Sequence, residues 1–74
     1  MAKEEIQSEV TGTVWKIESK VGDKVSDGDT LMILESMKME IPVISTEDGT
    51  ITEILVKEED PVAEGQAVVV IDVG

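Results

Sequence analysis

Residues 31–44 read LMILESMKMEIPVI and lie close to the midpoint of the chain. An apolar run, Leu31–Leu34, and a second apolar segment, Ile41–Ile44, lie on either side of Glu35–Glu40. Two strand-like segments separated by so short a connection are typical of a β-hairpin with a tight turn. We therefore predict a hairpin whose tip is Met37-Lys38.

The predicted tip lacks the residues that tight hairpin turns prefer. Two-residue turns favour Asn-Gly, Asp-Gly or a Gly-first pair, because one or both central residues adopt a positive φ. No Gly or Asn occurs in Glu35–Glu40. A conflict between local preference and the global pattern is common where a segment serves function. We therefore interpret the tip as a segment that presents Lys38 to a partner.

Lys38 has the chemistry of an acylation target. Its amine is nucleophilic and extends on a flexible four-carbon stem. Acylation removes the positive charge and turns the side chain into a tether. Met37 and Met39 offer an adaptable apolar surface to a modifying enzyme. The residues alone leave a second interpretation open, in which Lys38 is a solvated turn residue and both methionines pack on the end of the fold.

The chain repeats itself after 37 positions without a gap. The shift places Gly12 on Gly49, Val14 on Ile51, Ile17 on Ile54, Asp23 on Asp60, Gly28 on Gly65, and Leu31–Leu34 on Val68–Ile71. Each half alone is too small to bury its apolar face, so the two halves must share one core. The two Asp-x-Val-x-x-Gly segments have one glycine each and too few acids for a phosphate or calcium loop, and are interpreted as turns between strands.

The predicted fold is all-β. Two copies of one strand set, packed face to face as two sheets, form a flattened barrel or small sandwich. The three-residue apolar step from Val14 to Ile17 predicts a β-bulge or a bend in the strand, and its recurrence in the repeat predicts that the bulge occurs twice. Pro42 lacks a backbone donor and predicts an edge strand or a bulge. The repeat also relates the Lys38 tip to the chain termini, so we expect the tip and the termini at opposite ends.

Outside the hairpin, the sequence predicts shorter strands with weaker apolar alternation. The polar residues 1–5 are expected to fray, and residues 6–10 to form a short strand. The β-branched and aromatic segment of residues 13–17 predicts a further strand. Turn signals on both sides bracket a very short strand at Lys24-Val25.

Length and composition narrow the function further. The 74 residues allow one domain, residues 1–74. A formal charge of −11 and a single aromatic residue disfavour nucleic acid and membrane surfaces as partners. The chain has no Cys and no His, which excludes disulfides, the usual zinc sites and Ser-His or Cys-His catalysis. A cytoplasmic location is expected, since no apolar N-terminal signal segment is present. Met1–Glu4 is interpreted as a natural start of a free-standing protein.

The segment Glu35-Ser36-Met37-Lys38-Met39 resembles the biotin attachment site of biotinyl carrier domains. The family form has Ala where this chain has Ser36, and the resemblance extends from about Ile6 to Val73. Lipoyl domains, the sister family, have an acidic residue before the modified lysine and a small one after it, a pattern absent here. The resemblance implies an architecture of two four-stranded antiparallel sheets related by a pseudo-twofold. It also implies covalent biotin on Lys38, and recognition by a biotin protein ligase through Met37, Met39, Glu35 and Ser36.

The resemblance also implies a function. A biotin carboxylase would carboxylate the attached biotin, and the domain would carry carboxybiotin to a carboxyltransferase that acts on an acyl-CoA or a 2-oxo acid. The domain is then a non-catalytic carrier, with no catalytic residue and no metal. Two alternatives stay open: a lipoyl carrier domain, and an unmodified barrel that serves as a structural adaptor.

Overall fold

The computed structural model describes residues 2–73, which form eight strands in two antiparallel sheets. The strands are β1 (Ala2–Gln7), β2 (Gly12–Ile17), β3 (Lys24–Val25), β4 (Thr30–Ser36), β5 (Met39–Ile44), β6 (Gly49–Ile54), β7 (Pro61–Val62) and β8 (Ala67–Val73). One sheet has the order β5-β4-β2-β7 and is called the tip sheet; the other has the order β1-β8-β6-β3 and is called the terminal sheet. The predicted all-β class with two four-stranded sheets is confirmed. The sheets form a sandwich and do not close into a barrel, since β1 and β5 are edge strands.

The pseudo-twofold is visible in the hydrogen bonds between the two halves of the chain. The Gly22 amide donates to the Ile51 carbonyl at 2.7 Å, and 37 residues further on the Glu59 amide donates to Val14 at 2.7 Å. Both bulges are present at equivalent positions: Trp15 is the extra residue of β2, and Thr52 that of β6. The two halves that repeat in the sequence therefore also repeat in the structure.

The shared core draws the same positions from both halves. Its buried apolar side chains form equivalent pairs, namely Ile6 and Val43, Val14 and Ile51, Val25 and Val62, Leu31 and Val68, Met32 and Val69, and Leu34 and Ile71. Burial of a Val, Leu or Ile side chain contributes about 1.5–3 kcal/mol each. Because each sheet supplies one member of every pair, neither half can hold this core alone.

Each Asp-x-Val-x-x-Gly segment contains a two-residue strand, β3 or β7, with the predicted turns on either side of it. In the first, the Asp23 carboxylate accepts a bond from the Lys20 amide at 3.0 Å; in the second, Asp60 accepts from Lys57 at 3.0 Å. Pro42 lies on β5, the edge strand of its sheet, which confirms the edge prediction.

The prediction for the N-terminal residues was wrong. Ala2–Gln7 form strand β1, paired with β8 along its length from Ala2 opposite Val73. Met1 lies outside the described residues. The side chains of Ala2–Glu5 are exposed and carry no apolar alternation, so backbone hydrogen bonds to β8 order this segment. The strand expected at residues 6–10 ends at Gln7.

The Lys38 tip and the described chain ends lie at opposite ends of the molecule. Near Thr30, where β4 begins, the Asp27 amide donates to the Asp48 carboxylate at 2.8 Å, next to the end of the terminal sheet that holds Val73. Strand β4 then runs seven residues away from this end, about 20 Å. The molecule measures 36 Å along its long axis. Among residues 2–73, no helix is long and apolar enough to cross a membrane.

Candidate functional site

The tip of the β4–β5 hairpin has a left-handed backbone without glycine. Ser36 pairs with Met39, which leaves Met37 and Lys38 as the two turn residues. Their φ angles are 52° and 64°, as a type I′ turn requires. An L-residue in this region costs of order 1–2 kcal/mol relative to the right-handed region. The structure therefore stores strain at the turn that the sequence identified.

The tip side chains are presented to solvent. Met37 is 89% exposed and Met39 is 59% exposed, so neither methionine belongs to the core. Lys38 is exposed as well, and no carboxylate of residues 2–73 lies within 4.0 Å of its Nζ atom. An amine without an ion-pair partner on a two-residue turn can be reached by an enzyme from several directions. The geometry therefore suits acylation of the amine.

Ser36 has a different environment from its neighbours. Its Oγ atom donates a hydrogen bond to the Thr11 carbonyl oxygen at 2.9 Å, which connects β4 to the segment before β2. Gly12 lies beside this bond, where a Cβ atom would overlap the Glu35 carbonyl oxygen. These contacts hold the base of the tip against β2. Sequence reasoning placed Ser36 only in recognition and missed Thr11 and Gly12; the recurrence of Gly12 as Gly49 was the signal available.

Two carboxylates lie one residue further from the turn. Glu35 of β4 pairs with Glu40 of β5, and both side chains are exposed on the outer face of the tip sheet. Like charges directly opposite each other on a sheet are destabilising. The hairpin therefore carries an acidic pair beside the lysine at some cost in stability.

This structure defines a class of protein: a small two-sheet β-sandwich that presents a lysine at the tip of one hairpin. A family model described as "Biotin-requiring enzyme" matches residues 4–71. The chain belongs to this biotin/lipoyl family, which confirms the resemblance found in the sequence.

Relatives and solved structures agree with the family. The chain is 42% identical over 60 residues to the biotin/lipoyl attachment protein of Bacillus subtilis, covering 81% of this chain and 82% of that one. It is 35% identical over 68 residues to a biotinylated protein TB7.3 homolog of Mycobacterium leprae, covering 92% and 96%. Among solved structures, the urea carboxylase of Kluyveromyces lactis superposes with a TM-score of 0.92 at 42% identity; the match covers 97% of this chain and 6% of that one. The predicted cofactor, biotin, is borne out by the family description and the biotinylated relative.

Proposed function

We propose that Lys38 is the residue that carries biotin, and that the domain is the carrier of a biotin-dependent carboxylase. The observation that carries this proposal is the exposure of Lys38 on a strained, glycine-free turn between two exposed methionines. Strain of this kind is concentrated at functional sites. Family membership supplies the cofactor, and the exposed amine supplies a nucleophile that fits it.

Attachment is the acylation of an amine. It forms an amide bond between the Lys38 Nζ atom and the carboxyl carbon of biotin. The carboxyl group is first activated by ATP on a biotin protein ligase, so the bond that breaks joins the carboxyl carbon to an oxygen of the activating nucleotide phosphate, which leaves with the electron pair. One proton leaves the nitrogen. The domain contributes the nucleophile and its position, and the ligase contributes the rest.

The domain itself acts as a rigid base for a mobile arm. When bound, biotin supplies a ring nitrogen that carries a carboxyl group. The sandwich holds Lys38 at one end of a 36 Å body, so that the arm enters an active site while the body stays outside. Tethering makes each delivery effectively intramolecular and raises the local concentration of the group.

The partners that follow are a biotin carboxylase and a carboxyltransferase. The acceptor is an acyl-CoA, a 2-oxo acid or another small molecule of the kind that carboxylases use; the likeness to a urea carboxylase supports the wider choice. Residues 1–74 act as one carrier unit, and the cytoplasm, where ATP supports ligation, is its location. The chain itself is not an enzyme in this proposal.

A lipoyl carrier is the second candidate, because one relative is named a biotin/lipoyl attachment protein. The residues around Lys38 favour biotin, since Met37 and Met39 take the places where lipoyl domains have an acidic and a small residue.

Both candidates are tested by expression in cells that contain biotin and lipoyl ligases, followed by intact-mass measurement and avidin blotting. Wild type is expected to gain the mass of one biotin and bind avidin, and Lys38→Ala to gain nothing. A lipoyl mass on wild type would favour the second candidate. No adduct under conditions that label a control carrier would exclude both and leave the adaptor alternative.

A further inference from the structure

The pseudo-twofold relates the outer face of the tip sheet to the outer face of the terminal sheet. This face carries a contiguous set of apolar side chains, which we call the outer apolar patch: Trp15, Ile33, Pro42 and Ile44. Trp15 is 50% exposed and Ile44 is 46% exposed, while Pro42 is exposed and Ile33 half-buried. Contiguous exposed apolar groups on a small domain mark an interaction surface more often than chance exposure does.

The strand register makes the patch contiguous. Ile33 lies directly opposite Pro42 on the neighbouring strand, and Ile44 follows Pro42 by two positions on the same face. On the other side of Ile33, the bulge places both Trp15 and Lys16 against it. Lys16 is the basic residue of this face, at 3.9 Å from the Glu18 carboxylate.

The terminal sheet shows that the fold does not need an apolar patch at these positions. The residues 37 positions away are Thr52, Val70, Glu5 and Gln7. They occupy the same geometry, with Val70 opposite Glu5 and Thr52 as the bulge residue. Three of the four are polar, so the apolar character is specific to the sheet that carries Lys38.

The acidic pair differs between the sheets in the same way. Glu35 opposite Glu40 corresponds to Asp72 opposite Lys3 in the terminal sheet. Opposite charges attract in that second pair, whereas the pair beside the tip repels. The tip sheet therefore departs from its counterpart twice, in apolar exposure and in charge, and both departures lower the stability or solubility of the free domain.

Because the lysine side chain is short, its length determines which partner enzyme has to contact this face. The Nζ atom extends about 6 Å from Cα, from C–C bonds of about 1.5 Å. An enzyme that acylates the bare amine must therefore enclose the tip and lie against the flanks of the hairpin. Ile33 lies four residues before Met37, about 13 Å along β4. An enzyme that acts after attachment receives a longer arm, made of the lysine side chain and the attached group. It can reach the end of that arm without contacting the flanks of the hairpin.

From these observations we infer that the outer apolar patch, together with Glu35 and Glu40, is the docking surface for the biotin protein ligase. The matching ligase surface is an apolar patch flanked by Lys and Arg side chains near the opening of its active site. Charge complementarity of this kind raises the association rate and fixes orientation. The inference rests on the proposed function and adds the surface through which the attaching enzyme recognises the domain.

The test uses purified ligase, biotin and ATP, with the domain as the varied substrate. Trp15→Thr and Glu40→Lys each introduce the residue found at the counterpart position. Each is expected to raise the KM for the domain at least fivefold while kcat changes less than twofold. Glu40→Lys is also expected to raise the melting temperature, because it recreates the attractive Lys3–Asp72 arrangement. If Glu40 had only a structural role, the melting temperature of the variant and its labelling would rise or fall together.

Matched controls lie on the terminal sheet. Lys3→Glu creates a repelling pair there and is expected to lower the melting temperature, with KM within twofold of wild type; Thr52→Ala is expected to leave KM unchanged. Binding is measured independently by NMR of the labelled Lys38→Arg domain titrated with ligase, where shifts are expected at Trp15, Ile33 and Ile44 and absent from Thr52 and Gln7.

The outcomes separate this inference from the proposed function. If wild type is labelled and the folded Glu40→Lys and Trp15→Thr variants keep the wild-type KM, the docking surface is wrong and the carrier function stays. A fall in KM for Lys3→Glu as large as the rise for Glu40→Lys would attribute the effect to net charge and overturn the surface as well. If Trp15→Thr does not fold, Glu40→Lys and Ile44→Gln decide. If wild type is not labelled although a control carrier is, both proposals fail.

Discussion

Gly12 lies directly against the backbone of Glu35: a Cβ atom added to the glycine would overlap the Glu35 carbonyl oxygen. The equivalent residue of the second half, Gly49, lies against Asp72 in the same way, with a Cβ position 2.6 Å from that carbonyl oxygen. Both approaches occur where one strand crosses close to its neighbour, once beside the tip and once at the far end. Substitutions at these two glycines therefore distinguish an effect on the stability of the fold from an effect on the position of the tip.

Gly12→Ala and Gly49→Ala are expected to cost similar stability. Each forces a backbone shift of the kind that costs about 1–3 kcal/mol, or roughly 4–24 °C in melting temperature for a domain of this size. Only Gly12→Ala displaces the base of the tip, so only this variant is expected to slow biotin attachment at temperatures where both are folded. Thermal unfolding and initial labelling rates check this. Equal labelling rates would show that the base of the tip does not position Lys38.

The left-handed turn gives a second prediction. Met37→Gly relieves a φ of 52° and is expected to raise the free energy of unfolding by about 0.5–1 kcal/mol. The same variant removes a thioether from the tip, so labelling is expected to fall. Chemical denaturation and labelling rates measure the two effects.

Glu59 provides the control for Met37. Its φ is 76° in the second half, where the first half has Gly22. Glu59→Gly is therefore expected to gain similar stability without any change in labelling. A loss of stability in both variants would mean that contacts of the replaced side chains outweigh the backbone strain.

The hydroxyl of Ser36 is expected to contribute to stability more than to recognition. It donates to Thr11 at 2.9 Å, in a position open to water. Ser36→Ala removes that bond at a cost of about 0.5–1 kcal/mol, and labelling is expected to stay within twofold of wild type. A fall of tenfold or more in the labelling rate, with little change in the melting temperature, would instead assign Ser36 to direct contact with the ligase.

The exposed methionines are expected to matter for labelling alone. Met37→Asp combined with Met39→Ala is expected to reduce the labelling rate at least tenfold. Surface changes of this kind alter stability by about 0.5 kcal/mol or less. Val21→Asp serves as the control, because Val21 is 61% exposed and lies away from the tip. A large drop in melting temperature for the methionine variant would show that the two side chains are packed.

The sequence predicted the parts of the fold that the repeat encodes. The shared core and both bulges follow from apolar spacing and from the 37-residue shift, because burial forces side chains of one type into fixed positions. The edge position of Pro42 follows from its missing backbone donor. The start of β1 was missed because the exposed side chains of Ala2–Glu5 give no pattern, and only the backbone ladder to β8 orders them.

Part of the candidate site was also predictable from the sequence. Lys38 at a turn without glycine follows from the residues alone, and the left-handed φ of Glu59 follows once it is aligned with Gly22. The bond from Ser36 to Thr11 joins residues 25 apart in sequence and has no local signature. The outer apolar patch also escaped notice, because its members lie on three strands and are neighbours only after the sheet has formed.

The assignment of biotin to Lys38 is tested by the mass of tryptic peptides from the domain after incubation with biotin protein ligase, biotin and ATP. We expect one biotin, on the peptide that contains Lys38, and no label on a Lys38→Arg variant that unfolds at the same temperature as wild type. Biotin on any other lysine, or label retained by Lys38→Arg, would contradict it.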